Sequence, residues 1–195
     1  MPGKEISMSK SSAERHDVII VGGGPVGLTM ALALVRSAPG IRVALVDRRP
    51  LSVPRDNRAS AIAAGVRRVF EALGVWDEME RQSQPIASMH ITDSGTGDLA
   101  RPLFLRFDGD VAPGEAFAYM VPNQASGAAL LGAVQDDITV IAPADISDWS
   151  AEGALGRLTL GNGRVLAAPL IIAADGAQSN LRQRAGIDTI GNDYG

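Results

Sequence analysis

Cysteine is absent from this 195-residue chain, so disulfides, thiolate nucleophiles and cysteine-ligated metals are excluded. Histidine is scarce. His16 and His90 are the only two, too far apart in sequence to suggest a metal cluster. There is no surplus of positive charge: the net value of −4 argues against general nucleic-acid binding, which needs a basic face against the phosphates. No apolar run reaches the length of a transmembrane helix. The opening MPGKEISMSKSSAERH is polar and lacks the apolar stretch of a secretory signal. It reads as a disordered lead over residues 1–16, and the protein as cytoplasmic. No internal repeat is visible. What remains is ordinary for a soluble globular protein, with 46% hydrophobic and 21% charged residues and enough length for a substantial core.

The most informative segment runs from Asp17 to Asp47. Asp17 to Val21 is a short apolar run rich in β-branched residues, as a buried parallel strand requires. Gly22, Gly24 and Gly27 then form G-x-G-x-x-G where that strand meets a helix. Gly22 permits a tight turn, Gly24 lets a pyrophosphate approach without meeting a Cβ, and Gly27 lets the helix sit close to the sheet. Pro25 opens the helix at a position where its missing N–H has no partner anyway. The unpaired N–H groups and the positive end of the helix dipole face the phosphates. Asp47 ends the next strand, Ile41 to Val46, and suits an adenosine ribose. A glycine-rich turn in a buried α/β unit is the plainer reading, but it leaves Asp47 unexplained.

The first helix, about Val26 to Val35, is expected to bury Val26, Met30, Ala33 and Leu34, with Leu28 and Leu32 widening the surface. Residues 48–60, RRPLSVPRDNRAS, are basic, proline-bearing and expected to be irregular. A helix follows from Ser60, its N-cap, to Leu73, where Ile62, Val66, Val69, Phe70 and Leu73 recur at helical spacing. IASMHITD and PLFLRF then read as strands joined through Ser94 to Gly97, and DGDVAPGE (108–115) as a turn cluster. AYMV is a short strand before Pro122, and Gln124 to Val134 a helix. ITVI, ADISDW, ALGRLTL and RVLAA read as further strands, the last two joined at Gly161-Asn162-Gly163, a strong hairpin signal. LIIAAD is a last apolar strand, ending in Asp175-Gly176 before a helix of about Ser179 to Ala185.

The glycine motif with Asp47 is joined by a second element. Asp175-Gly176-Ala177-Gln178-Ser179-Asn180-Leu181-Arg182 fits D-G-x-x-S-x-x-R directly after an apolar strand. With Arg58 in NRASAI and Gln124 in YMVPNQ, these elements resemble the aromatic-ring flavoprotein monooxygenases typified by para-hydroxybenzoate hydroxylase. Within that group the chain is most similar to the ubiquinone-biosynthesis hydroxylases, from about Asp17 to its end.

The resemblance implies an α/β fold: a glutathione-reductase-type, Rossmann-like FAD-binding domain with a parallel sheet, a β-meander and the first strands of a substrate-binding sheet. Residues 17–85 would form the βαβ part, 86–117 the partial substrate strands and 118–195 the continued FAD-binding domain. It further implies that Gly22, Gly24, Pro25 and Gly27 cradle the FAD pyrophosphate and that Asp47 binds the adenosine ribose. Arg48 and Arg58 would lie near the cofactor, with Gln124 on the flavin side. Asp175 and Gly176 would meet the ribityl or pyrophosphate part, and Ser179 and Arg182 would hold that loop. By resemblance, NAD(P)H reduces FAD, and a flavin C4a-hydroperoxide formed with O2 hydroxylates a phenolic ring. No protein residue is nominated as the chemical catalyst.

Structural readings stand beside these. Asp175 would be a turn residue capping the next helix, and Arg182 a partner of Asp175 or Asp188. Arg58 would belong to a solvated basic loop with Arg48, Arg49 and Arg55, and Gln124 would be an early helix residue. His90, Tyr119 and Trp149 read as packing or surface residues. Family members continue past the D-G element, so the chain is expected to be an N-terminal fragment. Exposed strand edges are expected with it, and self-association or pairing with a missing C-terminal half. Peripheral contact with the inner membrane is a further expectation. The alternatives left open are a non-catalytic FAD-binding module, a related flavoprotein reductase or halogenase, and, more distantly, an NAD-dependent dehydrogenase.

Overall fold

A computed structural model describes residues 13–92, 103–134 and 136–191. Along the chain the elements are β1 (Glu14–Arg15), β2 (Val18–Val21), α1 (Pro25–Ser37), β3 (Val43–Val46), β4 (Ala59–Ala63), α2 (Ala64–Ala72) and α3 (Trp76–Glu80). Then come β5 (Gln84–Pro85), β6 (Ser88–Thr92), β7 (Leu103–Asp108), β8 (Asp110–Ala112), β9 (Glu115–Ala116), β10 (Ala118–Pro122) and α4 (Asn123–Val134). The chain ends through β11 (Thr139–Ile141), β12 (Ile146–Glu152), β13 (Leu155–Leu160), β14 (Val165–Ala168), β15 (Leu170–Ala173) and α5 (Asn180–Arg184). The chain forms two compact units, one of Met1–Leu51 with Val134–Gly195 and one of Ser52–Ala133.

The first unit is built on a parallel sheet in the order β11-β3-β2-β15. Every residue of β2 and β3 is buried, because both faces of this sheet are covered, as parallel strands need. On one face Ile19, Val21, Ala44 and Val46 pack with Leu158, Leu160, Leu166 and Ala168. Those partners belong to a second sheet, β1-β14-β13-β12, in which β1 runs parallel to β14 and the rest are antiparallel. The β13–β14 hairpin turns at Gly161-Asn162-Gly163, where Gly163 has φ +83°. Leu158, Leu160 and Leu166 are all but inaccessible, and each such side chain contributes about 1.5–3 kcal/mol. The other face carries α1. Of the expected lead, residues 1–12 lie outside the described residues.

Two expectations for this unit need correction. Helix α1 buries Leu28, Ala31 and Leu32, while Val26 is 70% exposed and Met30 39%. The reason lies at Gly27, where a Cβ would stand 1.9 Å from the Gly22 carbonyl oxygen. That contact turns the Gly27 side of the helix inward, and Leu28, Ala31 and Leu32 follow it at helical spacing. Helix α5 starts one residue late, because Ser179 is its N-cap rather than its first residue.

The second unit holds an antiparallel sheet, β4-β10-β5, two hairpins, β6-β7 and β8-β9, and helices α2, α3 and most of α4. Ser60 does not cap a helix. It lies in β4, paired residue by residue with β10 from Ala59↔Pro122 to Ala63↔Ala118, and α2 begins only at Ala64. A ladder to a strand far along the chain has overridden the local helical spacing. Within α2, Phe70 is buried but Val66 and Val69 are exposed. Residues 108–115, expected as turn alone, contain a short hairpin. Tyr119 is a packing residue, edge-on to Trp76 at 5.2 Å between ring centroids, with the Arg67 guanidinium over both rings. Glu115 accepts from Arg67 and Arg68. Strands β6 and β7 are exposed along their length, including Phe104 and Phe107. The connection expected at Ser94 to Gly97 lies outside the described residues.

Candidate functional site

In the first unit β2 runs centrally, with β3 on one side and β15 on the other. The β2–α1–β3 crossover leaves toward one side while the chain returns to β15 on the other, so the strand order reverses here. Open α/β sheets bind ligands at such a point, beyond the carboxyl ends of the strands. A crevice of about 290 Å³ lies there. It is lined by Gly22, Gly24 and Pro25 after β2, Asp47 and Arg48 after β3, and Asp175 and Gly176 after β15.

Each glycine has a distinct reason. Gly22 has φ +111°, and a Cβ on it would lie 2.2 Å from the Ala174 carbonyl oxygen, so the loop and the end of β15 meet too closely for any side chain. Its N–H donates to the Val46 carbonyl oxygen at 2.8 Å, tying the loop to β3. Gly27 seats α1 against that loop. A Cβ on Gly24, which lines the crevice, would meet nothing within 4 Å. Gly24 is also the N-cap of α1. It offers no capping side chain, and the first turn contains no acid. The first N–H groups of α1 therefore have no built-in acceptor, and the helix dipole adds partial positive charge there.

Asp47 and Asp175 both face this crevice, and backbone donors already engage each of them. The Asp47 carboxylate accepts the Gly23 N–H at 2.7 Å and the Arg49 N–H at 2.7 Å. Asp175 accepts from the Ser179 hydroxyl and, at 3.3 Å, from the Leu181 N–H. Ser179 in turn caps α5 by accepting the Arg182 N–H at 3.0 Å. The Arg182 guanidinium, expected on Asp175 or Asp188, donates instead to the Ala177 carbonyl oxygen at 3.0 Å. Gly27, Ser179 and Arg182 thus shape the elements behind the crevice, whose lining does not include them.

Arg58 and Gln124 belong to the second unit. Arg58 is exposed and paired with Asp56 at 2.6 Å, which holds the Asp56 carboxyl below the usual carboxylate range. Gln124 is an exposed residue in the first turn of α4. His90 is exposed in β6, and Trp149 packs partly buried against the core between the sheets.

Sequence reasoning missed Gly23, Arg49, Asp145, Gln178, Asn180 and Arg184. All but Gly23 line the crevice. A Cβ on Gly23 would lie 2.1 Å from Leu51 Cδ2, so the middle glycine of the run Gly22-Gly23-Gly24 was the available signal. Nothing local marked Asp145 or Arg184, which reach the crevice only because β12 and α5 fold beside it.

A parallel sheet with a bare helix N-terminus between two acid-ended strands defines a dinucleotide-binding α/β protein. Residues 15–194 match the family described as FAD binding domain, and the chain belongs to that family. It is 35% identical over 177 residues to ubiquinone hydroxylase UbiL of Rhodospirillum rubrum, covering 88% of this chain and 39% of that one. To 3-demethoxyubiquinol 3-hydroxylase of Escherichia coli it is 31% identical, covering 88% and 44%. Its fold is that of PqsL, a probable FAD-dependent monooxygenase from Pseudomonas aeruginosa, with a TM-score of 0.75 at 24% identity, covering 93% and 48%. The p-nitrophenol 4-monooxygenase PnpA from Pseudomonas putida shares that fold, with a TM-score of 0.71 at 19% identity, covering 89% and 44%. The chain spans about two fifths of the length of the curated relatives it matches.

FAD is the cofactor that family membership implies, and the residues present fit it. The open space at Gly24, the uncapped start of α1 and the lone pairs left on Asp47 suit a diphosphate and a ribose diol. Arg48, Arg49 and Arg184 add positive charge to the lining.

Proposed function

We propose that this chain is the FAD-binding part of a monooxygenase that uses NAD(P)H and O2 to hydroxylate an aromatic ring, with a phenolic ubiquinone precursor as substrate. The observation that carries the reading is the shared crevice of Asp47, Asp175 and the bare N-terminus of α1. The names borne by the Rhodospirillum and Escherichia relatives support the substrate class.

FAD, when bound, supplies the redox chemistry. The chain's own residues bind it, orient it and keep water from it. Gly24 and the first free N–H groups of α1 face the pyrophosphate, Gly22 shapes the turn and Pro25 opens the helix, and Gly27 holds α1 in place. Asp47 accepts from the adenosine ribose, and Arg48 adds charge. Asp175 and Gly176 face the ribityl side, with Ser179 and Arg182 fixing their loop. The family resemblance is the sole support for counting Arg58 and Gln124 among the cofactor contacts. No side chain is assigned a covalent or proton-transfer step. The protein works in the cytoplasm with peripheral contact to the inner membrane. The exposed apolar residues of β6 and β7 support such contact, or pairing with further polypeptide.

Titrating the purified chain with FAD and following flavin fluorescence and absorbance tests the cofactor. Saturable quenching is expected. A chain that takes up NAD but never FAD points instead to a dehydrogenase. NAD(P)H oxidation that rises with an added phenol and yields a hydroxylated product tests the reaction. Flavin uptake without such oxidation would favour a non-catalytic binding module.

A further inference from the structure

The backbone of Asp47 is unusually well anchored. Its N–H donates to the Ile141 carbonyl oxygen at 3.2 Å, and its carbonyl oxygen accepts from the Ala144 N–H at 2.7 Å. Its side chain is 11% exposed and reaches back over the glycine loop to the Gly23 N–H. Gly23 has no side chain to obstruct this approach: a Cβ there would stand 3.4 Å from Asp47 Oδ2 and against Leu51. The loop is thereby held to the end of β3 twice, by Gly22 N–H on Val46 and by Gly23 N–H on Asp47.

We propose that Asp47 is a positioning residue for the diphosphate as well as an acceptor for the ribose, because its carboxylate holds the phosphate-facing loop in place through the Gly23 amide before any cofactor arrives. This rests on the cofactor reading above. A carboxylate has about four lone-pair directions. The Gly23 and Arg49 amides take one on each oxygen, which leaves one on each for a ribose hydroxyl. Both roles therefore fit one side chain at once. Without the clamp, ordering the loop would have to be met from the binding energy.

The two roles separate with a pair of nucleotides. ADP carries the ribose diol and the diphosphate; 2′,3′-dideoxy-ADP carries only the diphosphate. Binding of both to the 195-residue chain and to Asp47→Ala is measured by calorimetry. Loss of the clamp is expected to weaken both ligands about tenfold, the scale of one charge-assisted hydrogen bond, with a further loss for ADP alone. If Asp47→Ala weakens ADP but leaves the dideoxy nucleotide unchanged, the clamp is overturned and the cofactor reading stands. If the wild-type chain binds neither nucleotide, both fall. Amide exchange of Gly23 in the ligand-free wild-type chain gives a readout that needs no variant to fold. Slow exchange is expected, and exchange at the rate of an unbonded amide overturns the clamp. Asp47→Asn keeps one oxygen for that amide but loses the charge and turns its NH2 toward the Arg49 N–H. It is therefore expected to bind the dideoxy nucleotide more weakly than wild type and more tightly than Asp47→Ala; a loss matching Asp47→Ala counts against the proposal.

Discussion

Replacing Gly27 by alanine adds one methyl group where α1 meets the glycine loop. The new Cβ would stand 1.9 Å from the Gly22 carbonyl oxygen and 3.4 Å from Ile20 Cγ2. The oxygen is backbone, in a loop tied to β3 by the Gly22 bond to Val46, so it has little room to retreat. An ordinary contact lies roughly 1.5 Å further out, and overpacking of this kind costs about 1–3 kcal/mol. The upper end applies, because a shift of α1 also loosens Leu28, Ala31 and Leu32. Alanine recovers about 1 kcal/mol of helix propensity over glycine, leaving a net loss of about 2 kcal/mol. For a chain of this size that is a fall in Tm of about 4–8 °C. Gly24→Ala is the contrast. Its Cβ meets nothing within 4 Å, so the cost is that of a poorer N-cap, about 0.5 kcal/mol. On the proposed placement of the pyrophosphate beside Gly24, the methyl should nevertheless weaken FAD about tenfold or more. Thermal melts by circular dichroism and FAD titrations of both variants check this. The reasoning is refuted if Gly27→Ala melts with wild type, or if Gly24→Ala binds FAD unchanged.

Ser179→Ala removes the cap of α5 and one donor to Asp175. It is expected to lower stability by about 1 kcal/mol, read as a urea midpoint, and to weaken FAD through a looser Asp175. The Arg42 side chain, then its backbone N–H, holds the Asp17 carboxyl down at about 2, below its ordinary 3.8. A depressed carboxylate stabilises the fold fully above its unfolded value and loses that contribution as pH falls through its folded value. Asp17→Asn should therefore have a lower urea midpoint than wild type at pH 6, with the gap closing as pH falls from about 4 toward 2. Added salt should narrow the gap too, since the pair is exposed. A gap independent of pH would sink this reading.

The glycine loop, its helix and Asp47 were legible because each signal is local. A strand, a turn and a helix start within a few residues carry their own steric and hydrogen-bonding requirements. The same holds for the hairpin at Gly161 to Gly163 and for Ser179 beside Asp175. Where the reading failed, a distant partner decided. Ala59 to Ala63 became a strand because β10 offers a ladder, which no residue in that stretch announces. The buried side of α1 was misjudged because a contact between Gly27 and the loop set its rotation, and apolar spacing alone did not.

The amino-acid order by itself predicted a dinucleotide site and its glycine loop, since a turn with φ +111° at Gly22 and the contact of Gly27 with the Gly22 carbonyl oxygen leave no room for a side chain. Only the tertiary structure decided which side chains complete that site. The central place of β2 between β3 and β15 brings Asp47 and Asp175 to one crevice, and β12 and α5 add Asp145 and Arg184. Asp47 and Asp175 stand 128 residues apart in the chain, and only the pairing of strands and the burial of their faces brings them together.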